Sequence, residues 1–234
     1  MTTTKTFTYS HTIGFLAATG RGLTNPVDLA INSQGVIYVL NRAGPETTVR
    51  LPSKRVTMCN LDEEWFGDFG TGGHEDGEFW WPSSIAIDNQ DRVYVADEGL
   101  QRITIFDNEG KFLDKWGSKG SADGQFEYPS CLAFDADDNL WLTDSYNHRV
   151  QKFTNDGQFI SAWGQQGSGP GQFEGPWGIA LTNSEDVYIS DWGNDRIQRY
   201  TTDGVLVKEF GSLSEGNAIH RPAGLTVDGE GNIY

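Results

Sequence analysis

The sequence has no long hydrophobic run. No apolar stretch approaches the roughly 18 residues that a membrane-spanning helix needs, and no signal-peptide core follows residues 1–5. These absences predict a soluble protein that is cytoplasmic by default. Only two cysteines occur, Cys59 and Cys131. A disulfide framework is therefore not indicated, and we expect both thiols to be buried as small apolar side chains.

Basic residues are also scarce. The chain has 17 lysines and arginines against 33 acidic residues, which gives a net charge of −16. This surplus of carboxylates disfavours binding to nucleic acid or to an anionic membrane, because both depend on neutralising phosphates. The segment 42–55 is locally basic and keeps RNA binding open as a weaker alternative. No nucleophile elbow, glycine-rich phosphate loop or HExxH zinc motif occurs.

What the chain does have is an internal repeat. Four glycines, each preceded by an aromatic residue, stand 47 residues apart: Gly70, Gly117, Gly164 and Gly211. Four prolines follow them at intervals of 47, 47 and 46 residues: Pro82, Pro129, Pro176 and Pro222. A period of this length is typical of radial or solenoid arrays of one small structural unit.

Each unit contains four short segments of β-branched and aromatic residues separated by turn-forming residues. In the second unit these segments are 85–87, 93–96, 102–106 and 112–116. No window holds an apolar period of 3.6 residues, so almost no helix is expected. The pattern predicts an all-β fold, a β-propeller built from four-stranded antiparallel blades.

The repeat also predicts how the chain is divided. Residues 1–234 are expected to form one propeller domain with four complete blades, 26–70, 82–117, 129–164 and 176–211. Two partial blades flank them, a closing strand at 7–14 and the start of a further blade at 222–234. The chain is therefore predicted to be truncated at its C-terminus and to lack about one blade of a six-bladed ring. The first blade is longer than the others because its loop 42–54 contains an insertion.

An apolar residue precedes each repeat proline by three positions. These residues are Leu23, Phe79, Phe126, Phe173 and Ile219. We interpret them as wedges between neighbouring blades.

Aspartate and arginine recur five residues apart in the three regular blades. The pairs are Asp97 with Arg102, Asp144 with Arg149, and Asp191 with Arg196. One interpretation is a ring of carboxylates that binds a cation at the channel mouth. The favoured one is structural: each aspartate caps the turn after the second strand, and the arginine bridges to it or to a neighbouring blade.

The units resemble NHL repeats. The segments that carry the resemblance are 144–153, Asp-Ser-Tyr-Asn-His-Arg-Val-Gln-Lys-Phe, and 191–200, Asp-Trp-Gly-Asn-Asp-Arg-Ile-Gln-Arg-Tyr. The resemblance implies the propeller fold but not one function, since the same fold serves unrelated activities. The family includes peptide-amidating lyases, RNA-binding domains of tripartite-motif proteins and sensor domains of bacterial kinases.

The resemblance to the amidating lyases raises the question of zinc. Those enzymes hold zinc with three histidines from different blades, and His148 lies where such a ligand can fall. The equivalent positions in the adjacent blades are Gln101 and Asp195, so a complete ligand set is not visible. We predict no cofactor, with Asp97, Asp144, Asp191 and His148 as weak candidates if zinc or calcium is bound.

The loops on one face carry the best binding candidates. The loops between second and third strands and those entering each blade emerge together in a propeller, and exposed aromatics there favour recognition. The candidate ligand-binding residues are Trp81, Gln101, Tyr128, Tyr146, His148, Trp177, Trp192, Asp195 and Arg221. The alternative is that the aromatic side chains only pack between blades.

The favoured hypothesis is a non-enzymatic interaction or scaffold module that binds a protein, a peptide or a small ligand through its loop face. The first alternative is a metal-dependent lyase or hydrolase with its site at the central channel. RNA binding is the weaker alternative, because the predicted face carries many carboxylates.

Overall fold

The computed structural model describes residues 9–10, 12–14, 22–42, 54–182, 186–211 and 219–234. Its architecture is four antiparallel four-stranded sheets that follow one another along the chain. The all-β prediction of four complete propeller blades is confirmed. A ring of six blades stays a prediction.

Each sheet is a meander in which consecutive strands pair. The first comprises β1 (Pro26–Ile31), β2 (Ile37–Asn41), β3 (Arg55–Cys59) and β4 (Trp65–Phe69). A short parallel pair, β5 (Thr71–Gly72) and β6 (Glu78–Phe79), follows it. The second comprises β7 (Pro82–Ile87), β8 (Val93–Asp97), β9 (Arg102–Phe106) and β10 (Phe112–Trp116).

The third and fourth sheets repeat the arrangement. The third comprises β11 (Pro129–Phe134), β12 (Leu140–Asp144), β13 (Arg149–Phe153) and β14 (Phe159–Trp163). The fourth comprises β15 (Pro176–Leu181), β16 (Asp186–Asp191), β17 (Arg196–Thr201) and β18 (Leu206–Phe210). Single 3₁₀ turns, Ser145–Asn147 and Trp192–Asn194, join the second strand to the third in these two sheets. No helix in the described ranges is long and apolar enough to cross a membrane.

The sheets are arranged radially. Each blade's first strand contacts the first strand of the next blade, β1 against β7, β7 against β11 and β11 against β15. Most of the core lies between successive sheets, because the three largest buried apolar clusters each combine side chains of two neighbouring blades. The second and third blades are therefore packed against a neighbouring sheet on both faces. A smaller cluster has its buried side chains in the first blade alone.

Three of the five predicted wedge residues lie in this core, whereas Leu23 and Ile219 are only half-buried. Phe79, Phe126 and Phe173 have no solvent exposure. Phe126 contacts Trp116 of the preceding blade and Phe153 of its own, with ring centroids 5.8 and 5.9 Å away. Phe173 sits in the same way between Trp163 and Tyr200, at 5.7 and 5.8 Å.

The two ends of the chain are less regular. The predicted strand 7–14 lies partly outside the described residues, and its described part forms no strand. The predicted further blade at 222–234 shows one antiparallel bridge, between Val227 and Ile233. Most of the insertion 42–54 lies outside the described residues.

The two cysteines are free thiols in different blades. Cys59 is buried as expected, whereas Cys131 is only half-buried by its exposed area. Burial nevertheless raises the pKa of the Cys131 thiol to about 11. The thiolate, which is the reactive form, is therefore scarce at neutral pH.

Candidate functional site

The repeated aspartates tie together the loops of one face. Each closes the second strand of its blade, is fully buried, and accepts a backbone N–H from the loop entering the same blade. Oδ1 of Asp144 accepts from Glu127 N at 2.7 Å, and Oδ1 of Asp191 accepts from Glu174 N at 2.7 Å. Asn41 does the same for Thr24 N at 2.7 Å. The face predicted from the repeat is therefore held by these contacts.

The second carboxylate oxygen is saturated as well. Oδ2 of Asp191 accepts from Asn194 Nδ2, Arg196 Nε and Gln198 Nε2 at 2.8, 2.9 and 3.1 Å. Asp144 repeats the pattern with Asn147, Arg149 and Gln151. Burial raises the pKa of Asp144, opposing the effect of these hydrogen bonds.

The second blade departs from this pattern. Asp97 accepts backbone N–H groups of its two flanking loops. Arg102 donates instead to backbone carbonyls of His74, Glu75 and Glu78. In the described part of the chain, no group of three or more His, Cys, Asp or Glu side chains is placed to hold a metal ion.

Three predicted binding residues make contacts between blades. Gln101, His148 and Asp195 have left-handed backbones, with φ of 56°, 53° and 54°. Their side chains accept the N–H of the residue before the next blade's proline: Gln101 Oε1 from Tyr128 at 2.8 Å, His148 Nδ1 from Gly175 at 3.2 Å, and Asp195 Oδ1 from Arg221 at 2.8 Å. Whether these side chains also bind a ligand stays a prediction.

The residue before each repeat proline contacts an aromatic or cationic side chain, with one exception. Trp81 lies under the Arg42 guanidinium at 4.5 Å, Tyr128 stacks on Tyr146 at 4.1 Å, and Arg221 lies over Trp192 at 4.7 Å. The equivalent residue between the third and fourth blades is Gly175. A Cβ built there would meet no atom within 4 Å.

A cleft of about 230 Å³ occupies that junction. Its lining residues are Ser145, Tyr146, His148, Glu174, Gly175, Trp177, Trp192 and Gly193. We call this the Gly175 cleft. Its three aromatic side chains reach solvent, with exposed fractions of 58% for Tyr146, 36% for Trp177 and 39% for Trp192.

The structure brings four of the nine predicted binding residues together in the Gly175 cleft: Tyr146, His148, Trp177 and Trp192. Asp195 and Arg221 lie beside it, through the contacts above. Trp81, Gln101 and Tyr128 belong to earlier blade junctions, and Gln101 is buried. The predicted residues therefore do not form a single pocket.

The polar groups of the cleft have defined states. Ser145 is buried, and its hydroxyl donates to Ser130 Oγ or to the Pro176 carbonyl, at 2.7 and 2.5 Å. Nδ1 of His148 accepts a hydrogen bond from Gly175 N at 3.2 Å, which leaves Nε2 as the donor position of the ring. Glu174 is exposed and brings a carboxylate to the rim.

The prediction of binding residues from the sequence missed Ser145, Glu174, Gly175 and Gly193. Gly193 is needed because a Cβ there would lie 2.4 Å from the Glu174 carbonyl. The signal for Gly175 was present: it is the only residue without a side chain at the position before a repeat proline. A cavity of about 450 Å³ formed by Leu181, Thr182 and residues 227–231 contains no predicted site residue and no aromatic side chain.

Comparison with known proteins supports the fold. The NHL-repeat family profile matches residues 79–106, 126–153 and 173–200. No curated protein sequence matches the chain. Among solved structures, virginiamycin B lyase from Staphylococcus aureus superposes with a TM-score of 0.62 at 15% identity. The match covers 89% of this chain and 61% of the lyase, so the chain spans less than two thirds of that protein.

Two further structures are similar. A chain of the nidogen–laminin complex gives a TM-score of 0.64 at 18% identity, covering 89% of this chain and 70% of that one. A protein of unknown function from Bacteroides thetaiotaomicron gives a TM-score of 0.68 at 16% identity, and the match covers 91% of this chain and 56% of that one. Identities this low support the fold alone. The chain therefore contains three segments that match the NHL repeat, and its four-stranded sheets follow one another as propeller blades.

Proposed function

We propose that this protein is a non-enzymatic interaction module that binds a protein or peptide through the Gly175 cleft on its loop face. Propellers of this kind typically serve protein interaction. One similar structure is a chain of the nidogen–laminin complex, which fits such a use of the fold. The metal-dependent alternative finds no ligand group of three or more among the described residues.

The observation that carries the proposal is the loss of one side chain from a repeated position. Gly175 has φ of 69°, and the equivalent Tyr128 and Arg221 have φ of 59° and 45°. The backbone there accepts large side chains, so its conformation alone does not require glycine. If the repeat served only as a scaffold, we would expect a side chain in this junction as well.

The walls of the cleft have the composition of a recognition site. Tyr and Trp are enriched among the residues that dominate binding energy at protein interfaces, and they act best in partly enclosed pockets. Tyr146, Trp177 and Trp192 are such residues, and each is partly exposed. Ser145, which is buried, also lines the cleft.

Gly175→Tyr is the variant that tests this proposal. This variant places a tyrosine side chain between the third and fourth blades, as Tyr128 does between the second and third blades. We expect it to fill the cleft and to weaken peptide binding at least tenfold. A displayed library of random 12-residue peptides is first selected for binding to the wild-type protein. The affinities of the enriched peptides for the wild-type protein and for each variant are then measured.

The matched control is Gly35→Tyr. Gly35 also has a left-handed backbone, with φ of 82° and open space around a built Cβ, but it lies in the β1–β2 turn on the opposite face. Both variants carry a similar cost of about 1–2 kcal/mol for a side chain in this conformation. Gly35→Tyr should bind enriched peptides like the wild type. Equal binding by Gly175→Tyr would refute the proposal.

A further inference from the structure

The aromatic rings of the loop face already bind cations from the chain itself. Arg42 lies over Trp81, and Lys54 lies over Trp80 with its Nζ 4.6 Å from the ring centroid. At the other end of the face, Arg221 lies over Trp192. A cation over an aromatic face is attracted by the ring quadrupole, most strongly for tryptophan.

Two of the three rings that line the Gly175 cleft lack such an internal cation, whereas the third, Trp192, already lies under Arg221. Among the described residues, no lysine or arginine lies over Tyr146 or Trp177. The residue that could supply one, by analogy with Arg221 at the next junction, is Gly175. The chain thus provides the rings at this junction but leaves the cationic position open.

The local charges favour a cation. At the cleft and directly beside it, Glu174 and Asp195 are acidic and Arg221 is basic, and Nδ1 of the exposed His220 lies 3.1 Å from Asp195 Oδ1. Behind the cleft, Arg149 and Arg196 are each paired with a buried carboxylate, through N–O distances of 2.9 Å. The net charge of the whole chain, −16, adds an attraction for basic partners.

The size of the cleft limits what enters. At about 230 Å³ it is smaller than the roughly 300–1,000 Å³ of pockets for drug-sized ligands. It suits one long side chain, whose stem lies along the rings while its charged head reaches the Glu174 carboxylate. The Nε2–H of His148 is a donor that a carbonyl of the same partner can accept.

We propose that the Gly175 cleft binds the protonated side chain of a lysine or arginine in a polypeptide partner. This inference rests on the proposed function and names the chemistry of the group that is bound. Tyr146, Trp177 and the Glu174 carboxylate form the cation site. The partner is expected to be basic around the inserted residue.

The test uses two synthetic peptides, acetyl-Gly-Ser-Lys-Ser-Gly-amide and the same peptide with norleucine in place of lysine. Norleucine keeps the aliphatic stem and removes the charge. We expect the wild-type protein to bind the lysine peptide about tenfold more tightly, measured by titration calorimetry. In Glu174→Gln this preference should fall to about threefold or less.

The matched control is Glu127→Gln, because Glu127 occupies the position equivalent to Glu174 in the preceding blade. It should keep the full preference for lysine. Equal binding of the two peptides, no binding of either, or an unchanged preference in Glu174→Gln would each overturn the cation site. The proposed function fails separately, if Gly175→Tyr still binds the peptides that the display experiment enriches.

Discussion

Replacing Asp191 by alanine is expected to lower the free energy of unfolding by about 3–5 kcal/mol, the usual cost of removing one partner from a buried ion pair. The Asp191 carboxylate has no solvent exposure and accepts four hydrogen bonds. Its loss leaves Arg196 Nε, Gln198 Nε2 and the Glu174 N–H without this acceptor. Urea denaturation monitored by circular dichroism measures the change.

Asp191→Asn separates charge and hydrogen bonding from shape. The asparagine side chain has nearly the same size. In one orientation its NH₂ group would face the three side-chain donors that Oδ2 now accepts from, and in the other it would face the Glu174 N–H and lose that hydrogen bond. We expect it to cost at least about 2 kcal/mol, since buried donors would be left unsatisfied. Asp203→Asn, at an exposed turn, should change stability by no more than about 0.5 kcal/mol. If the Asp191→Asn variant were as stable as the wild type, the structural role of the aspartates would be contradicted.

Replacing Phe126 by alanine is the second change with a large expected effect. Phe126 is fully buried between Trp116 and Phe153, and a Cβ added to Gly117 would lie 2.3 Å from its ring. Such close packing leaves little room for neighbours to collapse into the cavity. We expect a loss of about 3–5 kcal/mol in the free energy of unfolding, measured by the same denaturation.

Phe66→Ala is the matched control for this change. Phe66 lies in β4 with 51% of its area exposed. Its removal should cost clearly less, about 1 kcal/mol or below, because little apolar area is returned to water. A Phe126→Ala variant as stable as Phe66→Ala would contradict the wedge role of the apolar residues that stand three positions before each repeat proline.

Much of the fold could be predicted from the sequence because each blade repeats the same information. The spacing of Gly70, Gly117, Gly164 and Gly211 fixed the period. The wedge position could be read from Phe79, Phe126 and Phe173, which occupy one register of the repeat. Where the repeat is incomplete, at 7–14 and 222–234, no neighbouring unit supports the pattern, and the described residues there show little strand structure.

The candidate site was harder to predict, for two physical reasons. Gln101, His148 and Asp195 were interpreted by their chemistry, but their contacts with the next blade depend on a left-handed turn that residue type alone does not reveal. The Gly175 cleft depends on a side chain that is missing. A search for functional groups notes Tyr146, Trp177 and Trp192, yet it overlooks the glycine that leaves space between them.

The central claim is that the Gly175 cleft, and not the loop face as a whole, is the binding surface. The eight tryptophans report on it directly through the indole N–H resonances of ¹⁵N-labelled protein. On addition of a peptide enriched by display, the account predicts shifts at Trp177 and Trp192, and none at Trp80, Trp81 or the fully buried Trp141. Shifts at Trp80 and Trp81 with unchanged Trp177 and Trp192 resonances would contradict it.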